Sequence, residues 1–294
     1  MDQLEEPFVF ANIAGGIGNQ LFQIYNAISY GLDNGKPFYF NSRAQCPRKL
    51  DWTHIFANIQ NLACDTSILE KYQKTSFQES GFQYTRIPAR DGNIVLSGYY
   101  QSSKYFEHNI EKINDIIGIA KLRDSIKSKY WTVISSKFPG IQIIGLHFRF
   151  GDYLGLQQYH YVQIPQYYIN AINHMIANGI ESPVILYFGE ITDMVLINKY
   201  IGQIIPALTN KDIRFFNYRD LLGGCHLQDW EELLLMSCCD HNIISNSTFS
   251  WWSSFLNPNS SKIVCYPSMW FGPNLNHYIL DDLFPEKWKC ISSI

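Results

Sequence analysis

Apolar residues run almost without a break from Phe8 to Ile13, Gly15-Gly16-Ile17-Gly18 interrupts them, and from Gln20 to Leu32 they return at helical spacing. That pattern predicts strand, glycine turn and helix. Gly35-Lys36-Pro37 resets the chain and Pro37 to Phe40 reads as the next strand, so the opening is a β-α-β unit. Residues 41 to 92 carry short apolar patches among polar residues, with a loop around Arg86 to Asn93, and receive no assignment. Ile94 to Tyr100 reads as a strand. Tyr105 to Ile117 places Phe106, Ile110, Ile113 and Ile117 on one helical face, and Lys121 to Phe138 reads as a second helix. It ends at Pro139-Gly140, the expected domain boundary.

Beyond that point the alternation is cleaner. Strands are expected at Gln142 to Arg149, Val184 to Phe188, Ile213 to Phe216, Asn242 to Ser245 and Lys262 to Tyr266. Between them lie helices at Pro165 to Ala177, around Asp193 to Tyr200, at Asp229 to Cys239 and at Ser250 to Leu256. Strands separated by helices, several of them apolar throughout, imply parallel sheets covered on both faces. The expected fold is α/β with two Rossmann-like domains, residues 1–139 and 140–294, and a cleft between them.

Composition narrows the class. The 294 residues are 46% hydrophobic and 17% charged, enough to bury a core. A net charge of -3 without any Lys/Arg run argues against a nucleic-acid partner, which needs a basic surface to neutralise phosphates. The start, Met1-Asp2-Gln3-Leu4-Glu5-Glu6-Pro7, lacks the basic and apolar regions of a secretory signal, and no run of about 18 apolar residues could span a bilayer. The seven cysteines, Cys46, Cys64, Cys225, Cys238, Cys239, Cys265 and Cys290, have no metal-ligand spacing and read as mostly buried thiols of a cytoplasmic protein. The Asn-x-Ser/Thr sites at Asn246 and Asn259 then carry no glycosylation meaning.

Ligands of open parallel sheets bind beyond the carboxyl ends of the strands, and three polar clusters fall there. In Gly145-Leu146-His147-Phe148-Arg149-Phe150-Gly151-Asp152-Tyr153, strand alternation puts His147 and Arg149 on one face and Leu146, Phe148 and Phe150 on the other. An imidazole and a guanidinium together suit an anion, and the planar fork of Arg suits phosphate. The alternative is that Arg149 only pairs with Asp152. In Asn246-Ser247-Thr248-Phe249-Ser250-Trp251-Trp252, backbone N–H groups and hydroxyls at a helix start offer an anion site. Plain N-capping by Ser247 or Thr248, with the tryptophans as core, is the competing reading. The third cluster, Ala14 to Gln23, departs from a dinucleotide fingerprint because Leu21 fills the third glycine position. It supports a backbone that a ligand approaches closely, flanked by Asn19 and Gln20.

Taken in order, Gly-Gly-x-Gly-Asn-Gln-x-Phe-Gln at 15 to 23, Gly-Tyr-Tyr-Gln-Ser-Ser-Lys-Tyr-Phe at 98 to 106, the His-x-Arg strand end and His-Asn-Ile-Ile-Ser-Asn-Ser-Thr-Phe-Ser-Trp-Trp at 241 to 252 resemble the α-1,2-fucosyltransferases, over roughly residues 8 to 270. Short bacterial-type members without a membrane anchor look most similar. The resemblance implies a GT-B arrangement, with 1–139 on the acceptor side and 140–294 binding the GDP-sugar. It implies GDP-L-fucose as donor, an oligosaccharide acceptor reached at O2 of a galactoside, inversion at the anomeric carbon, no metal and no cofactor.

Residue by residue, His147 and Arg149 match the family's His-x-Arg-Arg-x-Asp motif, whose first arginine contacts the diphosphate; Asp152 and Tyr153 also match. The chain departs at Phe150, where a second arginine is usual. Glu232, in Glu232-Leu233-Leu234-Leu235-Met236, matches an acidic residue suited to guanine N1–H and N2–H, with Asp229 and Glu231 as rivals. Phe188-Gly189-Glu190 stands where members often show Ser-Asp-Asp. The expected catalytic set is Arg149, Asp152 and His147; the donor set adds Gly16, Gly18, Asn19, Glu232, Ser247, Thr248, Phe249 and Ser250. Tyr99, Tyr100 and Gln101 form the expected acceptor surface. Asp152, His160 and Glu190 are the eligible general bases. Another GDP-deoxyhexose as donor, or a non-catalytic glycan- or nucleotide-binding relative, are the competing readings.

Overall fold

The computed structural model describes residues 6–42, 50–210 and 212–294. The chain forms two compact units, Met1–Leu122 with Tyr278–Pro285, and Arg123–His277 with Glu286–Ile294. The division falls at Leu122/Arg123 and not at 139/140, because the helical run from Ile119 onward belongs with the second unit from Arg123. Tyr130, for example, donates its hydroxyl to Glu231 at 3.2 Å.

The first unit is built on β1 (Val9–Ala11), α1 (Ile17–Asn34), β2 (Phe38–Asn41), β3 (Ala63–Cys64), β4 (Lys74–Gln78), β5 (Asn93–Ser97) and α2 (Ile110–Ile117). Its sheet is parallel in the order β3-β2-β1-β5-β4. Helix α1 starts at Gly16 and ends at Gly35, whose left-handed φ of 61° lets Lys36 N–H return to the Gly31 carbonyl at 2.9 Å. Expected strand 94–100 stops at Ser97, because Gly98 (φ 151°) and Tyr100 (φ 53°) turn the chain. The unassigned stretch 41–92 holds β3 and β4.

The second unit starts within α3 (Ile119–Ile126) and α4 (Thr132–Ser135), joined by a π-helical turn. It continues through β6 (Ile143–His147), α5 (Pro165–Ala177), β7 (Val184–Phe188), α6 (Met194–Ala207), β8 (Arg214–Asn217), α7 (Tyr218–Leu221), α8 (Asp229–Met236), β9 (His241–Ile243), α9 (Thr248–Phe255), β10 (Val264–Pro267) and β11 (Lys289–Ile291). These strands lie parallel in the order β11-β10-β9-β6-β7-β8. Strands β6 and β7 are buried along their whole length, as expected where helices cover both faces of a sheet.

Cys64, Cys239 and Cys265 are buried, Cys225 and Cys238 are partly buried and Cys290 is exposed; all six are free. Cys46 and Met1 to Glu5 lie outside the described residues. Among the described residues no helix is long and apolar enough to cross a membrane.

Candidate functional site

The order of the strands points to one place in each unit. In the second unit the chain moves from β6 outward through β7 to β8, then returns to the other side of β6 with β9 and continues outward to β10 and β11. The direction of winding reverses between β6 and β9, and in open parallel sheets ligands bind at the carboxyl ends of the strands beside such a reversal. His147 is the last residue of β6 and Arg149 lies in the loop after it, while Asn246 to Ser250 run from the loop after β9 into the first turn of α9. In the first unit the reversal falls between β1 and β5. The loops leaving them are the glycine turn at 15 to 18 and the segment Gly98 to Gln101.

At the β6/β9 reversal, His147 is buried and its Nδ1 lies 2.8 Å from the Ser245 hydroxyl, while its ring packs on Phe249 with centroids 5.1 Å apart. This imidazole braces the loop before α9. Tyr153 donates its hydroxyl to the Asn246 carbonyl at 3.2 Å, a second brace. Asn246 in turn donates to the carbonyls of Tyr161 and Trp270. Ser247 takes the N-cap position of α9 in extended backbone, yet its side chain makes no capping hydrogen bond. The capping by Ser247 weighed from the sequence is therefore absent, and its side chain does not satisfy the first-turn N–H groups at the positive end of the helix. Ser247, Thr248 and Phe249 are partly exposed, and Ser250 is buried with its hydroxyl on the Ser247 carbonyl at 3.2 Å. Trp251 and Trp252 are core, and Trp251 stacks on Phe255 at 4.8 Å.

Arg149 sits just beyond β6. Its Nη2 donates to Asp152 at 2.5 Å and its Nη1 to Glu190 at 3.1 Å, and the guanidinium lies 4.9 Å from the Tyr153 ring centre. The Arg149–Asp152 pair weighed from the sequence is thus present, joined by Glu190 from the end of β7. Phe150 points to the other side, buried against Phe148 and edge-on to Tyr200 at 4.8 Å. The strand alternation that separates residue 150 from Arg149 therefore holds, and an arginine at 150 would face the core. Asp193, which the sequence reading placed only at the start of a helix, accepts the Gly151 N–H at 3.0 Å and fixes the turn that carries Asp152.

The eligible bases differ in environment. Asp152 and Glu190 are both tied to Arg149. His160 stacks on Tyr153 at 4.3 Å, and burial holds its pKa below the usual imidazole value.

Glu232 on α8 is largely buried. Its Oε1 accepts the Arg219 Nη2 at 2.6 Å and also the Tyr218 hydroxyl. Burial pushes the Glu232 carboxyl up to about 7, against the lowering pull of Tyr218 and Arg219. Arg219 also donates to the Gly189 carbonyl at 2.8 Å, linking Glu232 to the β7 end that supplies Glu190. Its sequence signal was a basic residue just past a strand end. Of the rivals to Glu232, Glu231 forms the capping box of α8 through the Gln228 N–H at 2.9 Å, and Asp229 opens the same helix.

In the first unit the glycine turn is pinned by side chains of α1. Gln23 accepts the Ala14 N–H at 2.7 Å and donates back to the Ala14 carbonyl, while Gln20 donates to the Gly15 carbonyl at 3.0 Å. Gly15 has φ 81°, and a Cβ there would meet the Asn19 amide nitrogen at 2.5 Å. Gly16 faces open space, and Gly18 is buried inside α1, not in the turn. Asn19 accepts the Gln101 amide at 3.0 Å, which ties together the two motifs at the β1/β5 reversal.

Of the expected acceptor surface, Tyr99 is exposed, whereas Tyr100 is 1% exposed with its hydroxyl on the Ser97 and Phe77 carbonyls. Tyr100 is a core residue and offers no face to a sugar, and Gln101 is buried on Asn19. A carboxylate that the sequence reading missed, Glu79, follows β4. Its Oε2 accepts the N–H groups of Tyr99 and Tyr100 at 2.7 and 2.8 Å, and burial raises it to about 7.

Each unit is a parallel sheet with one of the sequence motifs at its winding reversal. The chain belongs to glycosyl transferase family 11, whose model matches residues 48–291. It is 24% identical to an alpha-1,2-colitosyltransferase of Escherichia coli over 95% of this chain and 97% of that one. A stretch of 43 residues, 15% of this chain and 14% of the relative, is 51% identical to the O-antigen biosynthesis glycosyltransferase WbnK of Escherichia coli. Among solved structures, the fucosyltransferase NodZ from Bradyrhizobium is similar at 17% identity and a TM-score of 0.49, covering 86% of this chain and 93% of that one.

Proposed function

We propose that this glycosyltransferase moves a 6-deoxy-L-galactose-type sugar from its GDP derivative to a glycan hydroxyl, with inversion, without a metal, and with O2 of a galactoside as the favoured acceptor. L-Fucose is the first donor, on the strength of the motif resemblance. Colitose, which is L-fucose without its 3-hydroxyl, is the second, favoured by the colitosyltransferase that aligns with 95% of the chain. The observation that carries the reading is that Arg149 follows β6 and the uncapped start of α9 follows β9, neighbouring parallel strands on either side of the winding reversal.

Departure of GDP leaves an oxocarbenium-like sugar and a growing negative charge on the β-phosphate. Arg149 and the N–H groups of Thr248, Phe249 and Ser250 supply fixed donors for that charge, each worth roughly 3–4 kcal/mol by comparison with other anion holes. His147 acts by holding the α9 loop. Glu232 keeps one carboxylate oxygen beyond its bonds to Arg219 and Tyr218 and suits the guanine edge. Gly16, Gly18, Asn19, Tyr99 and Gln101 belong to the acceptor-side unit. Asp152 serves as base once phosphate takes over Arg149.

The test is incubation with GDP-fucose or GDP-colitose and a panel of galactosides, with chelator or with added magnesium, and product linkage read by NMR. An α-linked product from one of these donors in chelator is expected. A β-linked product, a strict need for magnesium, or binding of both donors without transfer would each overturn it.

A further inference from the structure

We propose that the first unit carries an accessory pocket, separate from the glycine turn, that binds one sugar ring of an oligosaccharide. The cavity has a volume of about 270 Å³. That lies just below the range of about 300–1,000 Å³ that holds drug-sized molecules, and it suits a single ring with its substituents. One wall is α1, where Asn26, Tyr30 and Asp33 stand at i, i+4 and i+7 on one face. Asn26 is seven residues past Asn19, so at about 1.5 Å per residue the pocket begins roughly 10 Å along the helix from the glycine-turn residues.

Asn26 carries the case. It is 1% exposed, it lines the cavity, and its amide nitrogen has no hydrogen-bond partner. A buried donor left unmade costs about 1–3 kcal/mol, and Asn is a poor choice for the middle of a helix. A ligand oxygen in the pocket would satisfy it.

Both walls are already fixed in place. Tyr30 donates its hydroxyl to the Pro88 carbonyl at 3.0 Å, the Tyr105 hydroxyl accepts the Thr85 N–H at 3.1 Å, and the Tyr84 and Tyr105 rings meet edge-on at 4.8 Å. Asp33 is oriented by His108 at 2.9 Å and by Asn109 at 2.7 Å. Tyrosine rings suit the C–H face of a pyranose, while the Asn26 amide and the Asp33 carboxylate suit its hydroxyls. The formal charges of Arg86 and Asp33 balance, which favours a neutral sugar over a diphosphate.

Identifying that sugar as part of the acceptor rests on the proposed function; sugar binding itself does not. The test uses saturation-transfer NMR on the full chain with methyl galactoside, methyl N-acetylgalactosaminide and methyl glucoside. Ala89→Trp fills the pocket from its exposed rim, and Tyr84→Ala removes a ring. At least one glycoside is expected to give a signal on the unmodified protein that falls severalfold in both variants, with GDP affinity unchanged as the control for folding. In transfer assays both variants should raise KM about tenfold for a tetrasaccharide acceptor and leave methyl galactoside as acceptor unchanged. No signal on the unmodified protein, or a signal as strong in the variants as in the unmodified protein, would overturn the pocket. Glycoside binding without transfer from either donor would leave the pocket standing and remove the proposed function.

Discussion

Arg149 and Glu190 lie 3.1 Å apart, with Asp152 on the other arm of the same guanidinium. Two of the five guanidinium N–H donors are taken by these carboxylates, and their negative charge opposes a phosphate arriving at Arg149. Glu190→Gln is therefore expected to tighten GDP binding by about threefold to tenfold, read by calorimetry. Weaker binding would show that Glu190 positions Arg149 and does not compete with phosphate.

Loss of the guanidinium itself has a larger effect. Arg149→Ala is expected to lower kcat about 100-fold to 1,000-fold. Arg149→Lys should recover only a minor part, because an ammonium lacks the planar fork. Turnover close to that of the unmodified enzyme in either variant would remove Arg149 from the reaction.

The neighbouring position gives a stability test. Phe150 is fully buried against Phe148 and Tyr200. Phe150→Arg restores the residue usual in the family motif but places an unpaired charge in the core, so a loss of at least about 3 kcal/mol is expected in denaturant unfolding. A neutral result would mean that residue 150 can turn toward the Arg149 side.

Glu232 gives a dependence on pH. Its carboxyl rises from 4.5 in the unfolded chain to about 7 in the fold, with burial the main cause. The folded state then holds more protons between those values, so this group's contribution to stability falls as pH rises from about 4.5 to 7 and is flat above. The difference in thermal midpoint between Glu232→Gln and the unmodified chain should shift in favour of the variant across that window. A pH-independent difference would contradict the raised value. Glu79 acts with the same sign.

The brace across β6 and β9 is testable by a small change. Ser245→Ala removes the partner of His147 Nδ1 and is expected to cost about 1 kcal/mol in stability. A drop in kcat larger than the drop in GDP affinity would mark His147 as a positioning residue for α9.

Strands with continuous apolar runs, such as Val184 to Phe188, and helices bounded by glycine, such as α1, were legible because burial and capping write themselves into residue type. Strand β4, Lys-Thr-Ser-Phe-Gln, was not: it is the outer strand of its sheet, mostly exposed, and shows no apolar alternation. Strand β11 is three residues long and equally exposed at Lys289 and Cys290. At the site, the side-chain types were readable but their partners were not. Tyr99 and Tyr100 look alike in sequence, and only the left-handed backbone at Tyr100 sends one ring inward. Arg219 and Asp193 reach their partners through tertiary contacts that no local spacing announces.

Tyr278–Pro285 belongs to the first unit, where Asp282 binds Lys104 and the Tyr84 N–H and Tyr278 packs on Phe82, although the chain on both sides of it belongs to the second. The first unit is therefore encoded in two separate stretches of the gene. A chimaera made to exchange the first unit with that of a relative needs both stretches, and a single crossover near residue 122 would leave the second unit carrying a foreign strap.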